Sequence, residues 1–326
     1  TPAWRWAVLC VALMFVMAAT AQAQSGTGTI SGLVKDESGA SVPGVTVTAT
    51  NTGTNAVTET ASNAEGLYSI RNLPLGTYSV SFSLTGFTPF TQDGIRVGLA
   101  ESITFDHTLT VGTLQDAITV TADTALMNTS NAEVGTSMTS DIVTDLPLSV
   151  SGGRALEDFA YAITPSLEGN NWTSNINGSA PFTKEVVLDG TSAVIQIGGH
   201  IGESSPPMEA VEEFAVQTSG VPAEYGRTAG GLFNFSLKSG TNQFRGSAYG
   251  FLRNESLNAN TWQNNYNLAT DPDNSDDYQR AMDRQYVVGA SLGGPIIKDK
   301  TFFFLAVEEY QQSRFLLGGL SSTVPT

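Results

Sequence analysis

In TFFFLAVEEYQQ, Thr301 to Gln312, residues Phe303, Leu305 and Val307 fall on one side of an extended chain. Phe302, Phe304, Ala306 and Glu308 fall on the other. A strand half buried in a soluble domain alternates apolar with polar residues, yet here both sides begin apolar and charge arrives only at the far end. The preceding strand, RQYVVGASLGGPI, sets Tyr286, Val288, Ala290 and Leu292 on an apolar face and Val287, Gly289, Ser291 and Gly293 on a small, mostly polar one. The tight turn Lys298-Asp299-Lys300 joins the two, and a third strand, FRGSAYGFLRN, comes earlier, across a long polar insert. Strand, long loop, strand, short turn, strand is the meander of an outer-membrane barrel, with one face for lipid and one for the lumen. Glu308 is expected to face the lumen. The first strand leaves two lipid faces open, Phe244, Ala248 and Leu252 or Tyr249 and Phe251. Three strands cannot stand alone in hydrocarbon, because an open edge leaves a row of backbone groups unpaired. The expectation is the opening of a barrel whose remainder lies outside this sequence.

The other end agrees with export. Arg5, an apolar run from Ala7 to Ala19 and Ala21-Gln22-Ala23 form a basic region, a hydrophobic region and a small-residue cleavage site, a signal peptide over residues 1–23. The run is shorter than the ~20 apolar residues of a membrane-spanning helix. Cys10, the only cysteine, lies within it, preceded by Leu9 rather than the small residue of a lipid-anchor site. The mature chain therefore has neither disulfide nor cysteine-held metal. It carries 14 basic and 31 acidic residues, a net charge of −17, which argues against nucleic acid or anionic lipid surfaces as partners. Beginning on Thr1 and ending on SSTVPT just past a strand, the sequence reads as a piece open at both ends.

Residues 28–110 carry short Thr- and Val-rich strands (TISGLVKD, VTVTATN, GLYSI, GTYSVSFS, GIRV, SITFDHTL) separated by turn signals (ESGASVPG, NTGTN, SNAEG, NLPLG). That spacing predicts a β-sandwich. Val45 and Val47 share one face, as do Tyr78, Val80 and Phe82, and Gly39, Gly44, Gly66 and Gly76 are expected in turns with positive φ. Tyr68, Tyr78 and Phe87 read as core rather than as sugar contacts. From Gly32 and Asp36 through Pro43-Gly44 to Leu73-Pro74, Gly76 to Tyr78 and Gly86-Phe87, the wording resembles the carboxypeptidase regulatory-like module. The resemblance implies a transthyretin-like sandwich grouped with carbohydrate-binding folds. It implies no peptidase: His107 and His200, the only histidines, do not stand at zinc-ligand spacing.

Residues 114–144 read as a segment between folded units. Within LQDAITVTA, the residues Asp116, Ala117, Ile118, Thr119, Val120, Thr121 and Ala122 resemble the TonB box of outer-membrane active transporters. An extended segment of this kind adds itself as a strand to a partner's sheet edge. The polar stretch from Ser130 to Val143 reads as a hinge.

Residues 145–242 read as α plus β: a helix from Arg154 to Ile163, a strand and turn in EVVLDGTSAV, then a helix start, a strand, a loop and another strand up to Asn242. Leu146-Pro147, Leu188, Asp189, Gly190, Ala210 to Phe214 including Glu212, Tyr225, Gly226, Arg227, Gly230, Gly231, Asn234 and Lys238 to Asn242 make this stretch similar to the plug domain of Oar-like TonB-dependent receptors. Phe235-Ser236-Leu237 departs mildly from the Thr- and Ile-rich strand common in that family. Glu209, Glu212 and Glu213 lie at helix-turn spacing and read as a solvated helix start, with no second group to complete acid–base chemistry. Gly230-Gly231 and Gly293-Gly294 lie in no nucleotide-binding pattern. The acidic run Asp271 to Asp277 lacks the sixth-position Gly and twelfth-position Glu of a calcium loop, the latter being Met282.

The expected fold is mainly β: a transthyretin-like β-sandwich, an α+β plug, and the first strands of a truncated transmembrane β-barrel over 243–326. The resemblance implies no enzyme and no cofactor. Its implied partners are a TonB-type energy-transducing inner-membrane complex, outer-membrane lipid, and a bulky extracellular ligand with oligosaccharide, peptide and siderophore as candidates. The alternative reading is a secreted or surface glycan-binding adhesin.

Overall fold

The computed structural model describes residues 27–99, 101–112, 118–121, 134–139, 156–164, 167–168, 175–194, 201, 205–221, 225–226, 228–271, 273 and 278–314. The expected signal peptide lies outside them. They form two compact units, one ending at Leu237 and the other comprising Pro206–Ala210 and the chain from Lys238 onward.

The first unit opens with β1 (Thr27–Asp36), β2 (Thr46–Asn51), β3 (Val57–Ala61), β4 (Leu67–Pro74), β5 (Gly76–Ser83), β6 (Phe90–Val97), β7 (Ser102–Thr104) and β8 (His107–Leu109). One sheet has the order β4-β1-β7, with β8 also paired to β1, and the other begins β3-β2-β5-β6. Alternation drives the packing. Every second residue of β1 and β2 is buried, and these residues meet Tyr78, Val80 and Phe82 of β5 in a single core. Full burial of such side chains stabilises by about 1.5–3 kcal/mol each. The two core tyrosines satisfy their hydroxyls on backbone carbonyls, Tyr68 on Phe105 at 2.6 Å and Tyr78 on Pro74 at 2.7 Å. Gly39, Gly44, Gly66 and Gly76 take positive φ as expected. Strand β3, which the sequence pattern does not announce, is an almost wholly exposed edge on β2, so no hydrophobic period marks it.

The stretch expected to be box and linker contains two strands. Strand β9 (Ile118–Thr121) pairs in parallel with β6, and β10 (Val134–Thr139), inside the expected hinge, pairs antiparallel with the strand at 211–219. β10 is polar because it forms the edge of its sheet and keeps exposed positions along its length.

The plug region comprises α1 (Leu156–Ile163), β11 (Leu167–Glu168), β12 (Asn175–Ile176), β13 (Lys184–Leu188), β14 (Thr191–Ser192), β15 (Val211–Ser219) and β16 (Gly231–Leu237). Its main sheet has the order β10-β15-β16-β13-β14, and β13 runs parallel to β16. Strands β13, β15 and β16 are buried on both faces, which accounts for their near-continuous apolar wording. The expected helix start at Glu209 is a single 3-10 turn, Met208–Ala210. Glu212 and Glu213 stand on β15 and not on a helix.

The second unit is a meander of β17 (Arg245–Arg253), β18 (Asp283–Ile297) and β19 (Thr301–Arg314), antiparallel in that order. Between β17 and β18 lies α2 (Trp262–Thr270), N-capped by Thr261, which accepts from the Asn264 amide at 3.1 Å. The register resolves the two faces. Tyr249, Gly289 and Glu308 are mutual neighbours across the three strands, and the Ser247 and Ser291 hydroxyls meet at 2.8 Å on that same side. The opposite face carries Ala248, Leu252, Tyr286, Val288, Leu292, Leu305 and Val307, all exposed. Phe244 belongs with Leu252, its ring 6.4 Å from that of Phe303.

Candidate functional site

The seven residues of the candidate box divide. Asp116, Ala117 and Ala122 lie outside the described residues. Ile118, Thr119, Val120 and Thr121 form β9, set opposite Phe90, Thr91, Gln92 and Asp93 in that order. Next to these pairs lies a β-bulge: between β5 and β6 the register passes from Tyr78↔Ile95 to Val80↔Gln92, and Gly94 takes φ 83° there. The bulge locally bends β6.

Leu188, Asp189 and Gly190 build a turn rather than a ligand site. Asp189 (φ 46°) and Gly190 (φ 77°) are the two central residues of the β13–β14 hairpin, the Asp-Gly arrangement that a two-residue loop with positive φ favours. The Asp189 carboxylate accepts from the Leu237 amide at 2.9 Å and the Ser236 hydroxyl at 3.3 Å, while its own amide donates to the Phe235 carbonyl at 2.9 Å. The motif pins the hairpin to the end of β16. Gly230 and Gly231 enter β16 beside Thr228, whose hydroxyl accepts from the Gly231 amide at 2.9 Å and donates to the Thr183 carbonyl at 2.9 Å. Asn234 is buried on β16, and its Oδ1 has no hydrogen-bond partner among the described residues. Glu212 is half buried, Tyr225 and Gly226 sit in a turn, and Arg227 lies outside the described residues.

Two charged clusters escape the sequence reading. Lys184, at the head of β13, is 1% exposed and lies 3.4 Å from the Glu157 carboxylate of α1, itself 3% exposed. Lys184 also donates to the Tyr161 hydroxyl at 2.7 Å and sits over the Tyr161 and Phe233 rings. Glu157 accepts from the Ile201 amide at 2.6 Å. The only sequence signal is a charge at each of two positions where the pattern calls for an apolar residue. In the second cluster Glu213 of β15 is buried, accepts from the Leu99 amide at 3.3 Å and lies 3.9 Å from Arg96 of β6. Burial raises its pKa above the usual carboxylate range, against the Leu99 hydrogen bond and Arg96. It ties the plug sheet to the sandwich. Among the described residues no group of three or more His, Cys, Asp or Glu could hold a metal ion.

Comparison with known proteins places these parts. The family model described as "Carboxypeptidase regulatory-like domain" matches residues 29–110, and that described as "Outer membrane beta barrel domain" matches 236–326. The TonB-dependent transporter Oar of Myxococcus xanthus is 26% identical over 318 residues, 95% of this chain and 29% of that protein. The chain is thus similar, over 95% of its own length, to a TonB-dependent outer-membrane transporter. It spans 29% of the length of the curated relative it matches. Among solved structures, the siderophore receptor PirA from Acinetobacter baumannii covers 55% of this chain and 24% of its own at 22% identity, TM-score 0.39. PirA from Pseudomonas aeruginosa covers 55% and 27% at 18% identity, TM-score 0.39. The match to an outer-membrane barrel domain covers the three-stranded meander and the chain beyond it. The meander thus has an exposed apolar face carrying Leu252, Val288 and Leu305 and an opposite, more polar face carrying Tyr249 and Glu308.

Proposed function

We propose that this chain carries the coupling, plug and opening barrel portions of an energy-dependent importer of bulky nutrients. The observation that supports the reading is the ordered series of sandwich, box-like strand, plug sheet and meander, matched over 95% of the chain by a TonB-dependent transporter. The sandwich and box lie on the periplasmic side. A TonB-type inner-membrane complex pairs with Asp116 to Ala122, and force drawn from the proton gradient rearranges the plug sheet to open a path. The chain's own residues perform no covalent chemistry. Replacing Ile118 and Val120 by Pro in the full-length protein is expected to abolish uptake, because proline cannot donate to a strand ladder. Unchanged uptake would show that the box lies elsewhere.

The ligand reading is oligosaccharide. Trp262 and Tyr266 stack at 5.4 Å and 17° on α2, both well exposed, amid the amides of Asn260, Gln263 and Asn267. Exposed ring faces beside amide donors and acceptors suit a sugar better than a metal chelate. Growth of a deletion strain on glycans and under iron limitation tests this: a defect confined to iron limitation would replace the glycan reading by a siderophore one.

A further inference from the structure

The sandwich's second sheet ends on β6, one side of which is taken by β5. Without β9 the other side would present a row of unpaired backbone groups, the kind of edge that captures extended segments. In this structure the captured segment is Ile118–Thr121, the centre of the candidate box. Two features make the capture specific. The chain leaving the sandwich is anchored beside the start of β6, where the Thr88 amide donates to the Thr110 carbonyl at 2.9 Å and Phe87 bridges Val111. Only residues 113–117 then separate Gly112 from Ile118, so the segment meets this edge at high effective concentration. At the other end the described ladder reaches Asp93↔Thr121, next to the Gly94 bulge of β6.

We propose that the β6 edge is a docking strand for the coupling segment, which keeps Ile118–Thr121 paired within this chain and withholds it from the energy-transducing partner until released. The proposal rests on reading 116–122 as the coupling box. Recognition of such a segment by a partner's sheet edge runs through backbone hydrogen bonds, and a segment already laddered must first leave β6. A ladder made of backbone bonds whose net worth in water is small is reversible. The partner's apparent affinity is then its intrinsic affinity reduced by the undocked fraction.

A reversible cross-link tests this in full-length protein. Thr91 and Thr119 are opposite each other in the register; Cys10, the only cysteine of this sequence, lies in the expected signal peptide, and any cysteine in the remainder of the full-length protein is first replaced by Ser. Thr91→Cys with Thr119→Cys is expected to form a disulfide on oxidation. Thr58→Cys with Thr119→Cys, which uses β3 at the opposite end of the sheet, is expected not to. The oxidised Thr91/Thr119 protein should bind the purified periplasmic domain of the TonB-type protein at least about tenfold more weakly than the same protein after reduction. Equal binding in the two states would mean that the partner adds to the free side of β9 and would overturn the withholding. Cross-linking no better than in the β3 control would overturn the docking itself. Deleting 116–122 from the natural chain separates the two readings: binding that survives the deletion removes the box assignment, and the withholding role with it, whatever the cross-link shows.

Discussion

The Tyr249 hydroxyl donates to the Glu308 carboxylate at 2.8 Å across an intervening strand. The bond spans β17 to β19 only because the residue between them is glycine: a Cβ at Gly289 would lie 2.2 Å from the Tyr249 hydroxyl oxygen and 2.3 Å from its Cζ. A carboxylate, an aromatic donor and a glycine thus form one unit, assembled by register from residues 59 positions apart at the extremes.

Gly289→Ala is expected to push the tyrosine ring off its path and destabilise the assembled barrel by roughly 1–3 kcal/mol, the cost of overpacking. Tyr249→Phe is expected to cost about 1 kcal/mol by removing one donor to Glu308. In the Tyr249→Phe background Gly289→Ala still meets the ring, so the two losses should not cancel. Denaturant unfolding of the full-length protein in detergent micelles measures all three, and an innocuous Gly289→Ala would mean that the ring does not lie over this position.

The sandwich contains a pH sensor of stability. His107 stacks on Phe90 at 3.9 Å and lies against Phe82 and Phe105, and burial pulls its pKa down to about 4. The folded state therefore binds fewer protons than the unfolded state, whose imidazole titrates near 6.5. The neutral ring's contribution is complete above about pH 6.5 and is lost as pH falls towards 4, at a cost of roughly 2 kcal/mol allowing for partial exposure. Asp36, held below the usual carboxylate range chiefly by the Ser38 hydroxyl, adds a loss in the same direction only at lower pH. Residues 27–121 expressed alone should fold cooperatively, having a closed core, and chemical denaturation at stepped pH should show the slope. His107→Phe should flatten it between pH 6.5 and 4; an unchanged slope would assign it to the carboxylates.

How far the sequence discloses the architecture depends on what each residue faces. β5 is legible to the residue, because Tyr78, Val80 and Phe82 alternate with Thr and Ser. So is the apolar face of β18, where Tyr286, Val288 and Leu292 alternate with small residues. β3 and α2 are hidden because neither buries an apolar stripe; Val57, Trp262 and Tyr266 are exposed. The choice between Leu252 and Tyr249 for the lipid face of β17 required the cross-strand register, since both parities carry aromatic or aliphatic residues. The docking of Ile118–Thr121 on β6 could not be read at all: ITVT announces a strand, but backbone pairing carries no side-chain label for the edge it joins. Glu213 reads as solvated until its strand, and with it the Leu99 amide, is known.

The buried pair of Lys184 and Glu157 makes the last prediction, because it fixes α1 onto the plug sheet by charge in a place where apolar packing would serve. Lys184→Met removes the cation that lies against Glu157, and breaking a buried pair on one side costs about 3–5 kcal/mol. Glu157→Gln alone removes the carboxylate beside the ammonium and should cost a similar amount. The double variant Lys184→Met/Glu157→Gln removes both charges, so it should be more stable than either single variant, with a coupling term of the opposite sign to the single losses. The same three proteins probe the transport cycle. If the plug must open by separating α1 from β13, a pair that holds well in the closed state and is costly to leave half-made would favour movement of helix and strand together. The double variant, held by weaker apolar contact, should then admit protease between residues 164 and 184 more readily than the natural chain during energised uptake, while the two digest alike when the energy source is removed. Equal digestion under both conditions would confine the pair to stability alone.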